Sequence, residues 1–136
     1  MTGKITDRYA LDRAGLREIG RLLKGAASAE VFVFSQEDLD RAERAFAEAR
    51  LSVRVVRMSS GKSRDANEPV PGVALFLGLV PKESAATVDA LVAMLERHGA
   101  TTVAVSEAAL SPLRFGVGRY VRAGFSVALQ EIAGAE

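Results

Sequence analysis

The chain has 136 residues, of which 49% are hydrophobic and 26% charged, with a formal net charge of +1 and no cysteine. That is the size of one domain able to bury its own core, and the absence of cysteine excludes disulfides, thiolate nucleophiles and Cys-based metal sites. The charged N-terminus, MTGKITDRYALDR, lacks the apolar run of a signal peptide, and the apolar stretch 70–80 is too short to span a membrane, so a cytoplasmic location without membrane attachment is expected.

The first predicted element is a helix over residues 12–24. Leu16, Ile19, Leu22, Leu23 and Ala26 gather on one face, Arg13, Arg17, Arg21 and Lys24 lie nearly opposite, and Gly25 follows as a stop. Val31-Phe32-Val33-Phe34 is apolar on both faces and reads as a strand between helix layers. Ser35 then opens a second helix, with Asp38 in the capping-box position and Leu39, Ala42, Phe46 and Ala49 as its apolar stripe. Residues 52–58 (SVRVVRM) form a β-branched second strand, and residues 59–71 a polar loop containing Pro69 and Pro71.

Residues 72–80 (GVALFLGLV) predict a third strand and Pro81 the start of a third helix, in which Val88, Leu91, Val92 and Leu95 are spaced i, i+3, i+4, i+7 before Gly99 ends it. Residues 101–106 (TTVAVS) predict strand four. A shorter helix is expected from Ser111-Pro112 to Gly124, and FSVAL at 125–129 as strand five. The order α-β-α-β-β-α-β-α-β makes residues 1–136 a single α/β domain with about five strands and four helices. The missing helix between strands two and three favours a mixed, mostly parallel sheet with a ferredoxin-like β-α-β-β-α-β centre, and the alternative is a small Rossmann-like sandwich.

Few residues suggest chemistry. His98, the sole histidine, sits in the last turn of a helix, where the dipole accounts for it. Gly61-Lys62-Ser63 lacks the earlier glycine and the following helix of a P-loop, yet Lys62, Ser63 and Arg64 in a Ser/Gly turn suit a small anion. Arg114 and Arg119, placed on the predicted last helix, are the next candidates. The basic run from Arg50 to Arg64 raises nucleic-acid binding, but the acidic second helix and the scarcity of aromatic side chains disfavour it. Small hydroxyls and carboxylates at the strand ends, Ser35 to Asp38 and Ser106-Glu107, suit a small polar ligand and equally suit helix capping.

Two segments resemble known families. The run from Asp89 to Phe125, with a helix ending in Gly-Ala, a strand and then Tyr120, Gly124 and Phe125, is similar to the last helix–strand–helix segment of GNAT acetyltransferases. That resemblance implies an acyl-CoA-dependent acyltransferase, although Pro81 to Ala86 carries no glycine where the family binds pyrophosphate. Residues Val31 to Leu95 resemble a ferredoxin-like family of sulfur or selenium carriers, with Pro71-Gly72 in place of Cys-Gly.

No catalytic constellation assembles from these residues, and neither a cofactor nor a metal is implied. The expectation is a non-catalytic binding or interaction module recognising a small anionic ligand or a protein partner, with the acyltransferase as its alternative. The charge-poor second half, with Leu110, Leu113, Phe115 and Tyr120, adds the expectation of a homodimer.

Overall fold

The computed structural model describes residues 13–58, 69–107 and 117–135. In chain order it contains α1 (Arg13–Gly25), β1 (Ala29–Val33), α2 (Gln36–Glu48), β2 (Arg54–Arg57), β3 (Val73–Leu77), a 3-10 turn (Lys82–Ser84), α3 (Ala85–Arg97), β4 (Thr101–Ser106), β5 (Arg119–Arg122) and α4 (Phe125–Ala133). The five strands form one sheet of order β2-β1-β3-β4-β5, and every neighbouring pair is parallel.

This arrangement is the Rossmann-like sandwich and corrects the preference for a mixed sheet with a ferredoxin-like centre. Strands β2 and β3 do not pair with each other, since β1 lies between them and pairs with both. A parallel crossover needs a dozen or more residues, and residues 58–72 supply that length whether or not they form a helix. The missing helix signal was therefore no argument for a hairpin.

The end of the chain differs as well. Residues 119–122 (RYVR), expected within a helix, are β5, whereas residues 125–129 (FSVAL), expected as a strand, open α4. A short apolar run does not by itself distinguish strand from helix. The longer window settles the period: Phe125, Ala128, Leu129 and Ile132 follow i, i+3, i+4, i+7, and the last three are buried. Gly124 is accordingly the N-cap of α4 rather than the stop of a preceding helix.

Strands β1 and β3 are buried along their whole length. Alternation sends Val31, Val33, Leu75, Leu77, Val103 and Val105 to one face of the sheet and Phe32, Ala74, Phe76 and Ala104 to the other. Helices α1, α2 and α4 cover the first face with Leu16, Ile19, Leu23, Phe46 and Ile132. Helix α3 covers the second with Val88, Val92 and Leu95. Right-handed crossovers require this division, because the step from β1 to β2 and the step from β3 to β4 run in opposite directions across the sheet.

The expected cap of α2 is present: Ser35 is extended (φ −146, ψ 159) and its Oγ accepts the Asp38 N–H at 3.1 Å. Ser35→Ala is expected to cost about 1 kcal/mol, as measured by urea denaturation, because a first-turn N–H loses its acceptor.

Candidate carboxyl-edge binding site

Strand order locates the site. In a doubly wound sheet the chain leaves β1 and β3 toward opposite faces, which opens a crevice beyond their carboxyl ends. A cavity of about 230 Å³ occupies this place, lined by Ser35 and Asp38 after β1, Gly78 after β3, Glu107 after β4 and Phe125 after β5.

Each wall has a local cause. The Ser35 cap fixes the turn that carries Asp38. Gly78 ends β3 at φ +109, a conformation that L side chains rarely adopt, and a Cβ there would lie 3.5 Å from Asp38 Oδ2 and 3.6 Å from the Phe125 ring. Its N–H donates to the Val105 carbonyl at 2.9 Å, tying the turn to β4. Arg41 braces α2 against α4: its guanidinium lies 4.7 Å from the Phe125 ring centroid, it donates to Ser126 Oγ, and Nη1 is 3.9 Å from Asp38 Oδ1.

Burial raises the Asp38 carboxyl above its ordinary value of 3.8, against the opposing effects of the Ser35 hydrogen bond and the Arg41 charge, while Glu37 adds to the rise. Between the unfolded and the raised folded pKa the native state binds more protons, so Asp38 detracts from stability as pH climbs through that window. Asp38→Asn is therefore expected to be more stable than the parent at pH 7, with the difference vanishing below pH 3.8. Paired denaturation curves at pH 7 and at acid pH check this.

The other candidates are distributed differently. Arg119 belongs to β5, not to a helix, and stands at the opposite, amino-terminal edge of the sheet, its Nη2 2.7 Å from Glu18 Oε2. With Leu22, Ala26 and Val73 it lines an open, mainly apolar cavity of about 530 Å³. That space is larger than the carboxyl-edge crevice, and its charged lining residues, Glu18 and Arg21 of α1 and Arg119 of β5, lie at the amino-terminal edge of the sheet. Lys62, Ser63, Arg64 and Arg114 lie outside the described residues, as do Leu110, Leu113 and Phe115. Tyr120 is half-buried against the second core cluster. From the basic run, Arg54 lies 3.5 Å from the buried carboxylate of Glu30.

The segment that would serve acyl-CoA in the GNAT resemblance closes on itself. Ser84 N–H donates to the Pro81 carbonyl at 2.9 Å and Ala85 N–H to that of Lys82, while Pro81 has no N–H. Two of the N–H groups of this segment are thereby taken up internally and Pro81 supplies none, which reduces the donors that a pyrophosphate would need there. Tyr120 lies in β5 and Gly124 caps α4, so the resemblance does not extend to their structural roles. The ferredoxin-like resemblance falls with the mixed sheet.

The fold and its crevice define a parallel, doubly wound α/β domain. No family model matches the chain, and no curated protein does. Among solved structures it is similar to the sugar isomerase domain of an RpiR transcription factor from Sphaerobacter thermophilus, with 12% identity over 87% of this chain and 72% of that one and a TM-score of 0.61. It also matches a CheY-like protein from Pseudomonas aeruginosa (17% identity, 80% of this chain and 96% of that one, TM-score 0.45). A response regulator in red light signaling of R. palustris matches with 19% identity, over 77% of this chain and 89% of that one, at a TM-score of 0.49. The first of these likenesses is one of fold.

Proposed function

We propose that this protein is a small-ligand binding module whose site is the carboxyl-edge crevice and whose ligand is a hydroxyl-bearing molecule of the sugar or polyol class. The convergence of Ser35, Asp38 and Glu107 from separate strand ends on one cavity carries this reading. Carboxylates accept hydrogen bonds from vicinal hydroxyls, and the Ser35 hydroxyl can donate or accept. Two carboxylates repel an anion, so these described residues favour a hydroxylated ligand over the anionic one. The sugar isomerase domain that shares the fold supports the ligand class by analogy alone.

The test is a thermal-shift titration with D-ribose and D-glucose. A saturable rise in melting temperature is expected, lost in Asp38→Ala and retained in Arg21→Ala at the opposite edge. No shift, or a shift lost in Arg21→Ala and kept in Asp38→Ala, contradicts the assignment. A separate anion-binding role for Lys62, Ser63 and Arg64 is also proposed, since the chain leaves β2 at this same edge, where Met58 N–H donates to the Val33 carbonyl at 2.8 Å. Stabilisation by phosphate or sulfate that disappears in Lys62→Ala/Arg64→Ala would support it, and equal shifts in both proteins would remove it.

A further inference from the structure

The two carboxylate oxygens of Asp38 have different neighbours. Oδ1 faces Arg41, whose Nη1 lies 3.9 Å away. Oδ2 faces the turn after β3: a Cβ at Gly78 would stand 3.5 Å from it, so the glycine leaves bare backbone where a side chain would crowd that oxygen. Asp38 and Gly78 both line the crevice.

Arg41 reaches this point across a gap. Along their length α2 and α4 part around a groove of about 440 Å³, with Ala45 and Ala49 on one wall and Ser126, Leu129 and Ala133 on the other. At the crevice end the guanidinium spans the gap, lying over the Phe125 ring, donating to Ser126 Oγ and approaching Asp38. Phe125 is the first residue of α4 and a wall of the crevice. Gly124 caps this helix without a side-chain hydrogen bond, and the dipole of α4 does not favour a cation at that end, so the three contacts hold the guanidinium there. A guanidinium suits the task because its hydrogen bonds lie in its plane while its face rests on a ring, whereas an ammonium has no plane.

Resting on the sugar-class reading of the crevice, we propose that Arg41 is a positioning residue of that site: it holds Asp38 Oδ1 and the Phe125 ring in place, and leaves Asp38 Oδ2, beside Gly78, as the atom that accepts a ligand hydroxyl. Its charge acts on the same carboxyl. Burial raises Asp38, the Ser35 hydrogen bond and the Arg41 charge oppose that rise, and Glu37 adds to it. Among the described residues that line the crevice, Glu107 is the other ionisable group. Loss of the Arg41 charge therefore moves the Asp38 midpoint upward, and the carboxylate that accepts the hydroxyl is lost at a higher pH.

Two variants separate charge from shape. Arg41→Gln keeps a hydrogen-bond donor and removes the charge, whereas Arg41→Lys keeps the charge and removes the plane. Calorimetric titration of the full chain with D-ribose, from pH 7 downward, compares both with the parent, and melting curves confirm that the variants are folded. Arg41→Gln is expected to weaken ribose binding at pH 7 roughly tenfold, the equivalent of loosening one charge-assisted hydrogen bond, and to move the pH midpoint of binding upward. Arg41→Lys is expected to keep the parent's midpoint while binding more weakly. Affinity and midpoint both unchanged in Arg41→Gln would overturn the role of Arg41 and leave the sugar-class site in place. Weaker binding with an unmoved midpoint would also overturn it, since a side chain that acts through packing alone has that effect. Absence of ribose binding by the parent would overturn the two readings together. Carbon NMR of the Asp38 carboxyl without ligand, expected to show a higher midpoint in Arg41→Gln, separates that failure from a failure of the Arg41 contact itself.

Discussion

Gly20→Ala is expected to destabilise the protein by about 2 kcal/mol, although alanine is the better helix former by about 1 kcal/mol. The reason lies between helices. A Cβ at Gly20 would stand 2.4 Å from the Ile132 carbonyl oxygen and 2.4 Å from Ala135 Cβ, so α1 and α4 approach through a glycine with no room for a methyl group. A backbone carbonyl cannot rotate aside as a side-chain tip can, and the accommodation has to come from separating the helices. Doing so strains the contacts that register them: Arg13 and Arg17 with Glu131, at 3.4 and 3.7 Å, and Lys24 Nζ donating to the Ala135 carbonyl at 2.7 Å. Gly25, in the same helix, has open space where a Cβ would stand, with nothing within 4 Å, and Gly25→Ala is expected to be neutral or stabilising by up to about 1 kcal/mol. Urea denaturation of the two variants side by side reads the contrast, and equal effects would refute the close approach of α1 and α4.

Phe76→Ala is expected to cost about 4 kcal/mol, a large part of the 5–15 kcal/mol that holds a domain of this kind together. Phe76 is fully buried in the central strand β3 and stacks on Phe32 of β1 at a centroid separation of 4.9 Å. The two rings, with Val88, Val92 and Leu95 of α3, form the core of the second face. Removing one ring leaves its partner facing a cavity, and the strands on either side are too tightly paired to collapse into it. Phe76→Leu keeps most of the volume and should cost less than about 1.5 kcal/mol. A loss for Phe76→Ala no greater than that for Phe76→Leu would show that the face is not packed around this ring.

Much of the fold was legible in local pattern. The apolar stripe of α1, the doubly buried run of β1, the Ser35 cap of α2 and the glycine after α3 are each set by residues within one or two turns of each other. β5 and α4 were not legible in the same way, because SVAL satisfies both periods until Ile132 is included. The order of strands is a non-local property, and the absence of a helix signal between β2 and β3 pointed to a hairpin that the sheet does not contain.

The site follows the same division. Asp38 was recognisable as a capping-box residue, and the strand ends at Ser35 and Glu107 as places suited to a polar ligand. That these residues face one cavity depends on β1 and β3 being neighbours, which no spacing in the chain reveals. Gly78 carried a signal that was available, since a glycine within an apolar strand pattern often marks a close approach of backbone to another group. Here that group is the Asp38 carboxylate. Arg119 illustrates the converse: a cation assigned to the predicted last helix belongs to the start of a strand, at the amino-terminal edge of the sheet.

The most direct measurement is a two-dimensional amide NMR titration with D-ribose. Binding at the carboxyl edge predicts that the resonances of Ser35, Asp38, Gly78 and Glu107 move together with one saturation curve, while those of Leu22, Ala26 and Val73 at the amino edge stay fixed. Shifts confined to the amino-edge cavity, or no saturable shift at the four strand-end residues, would contradict it.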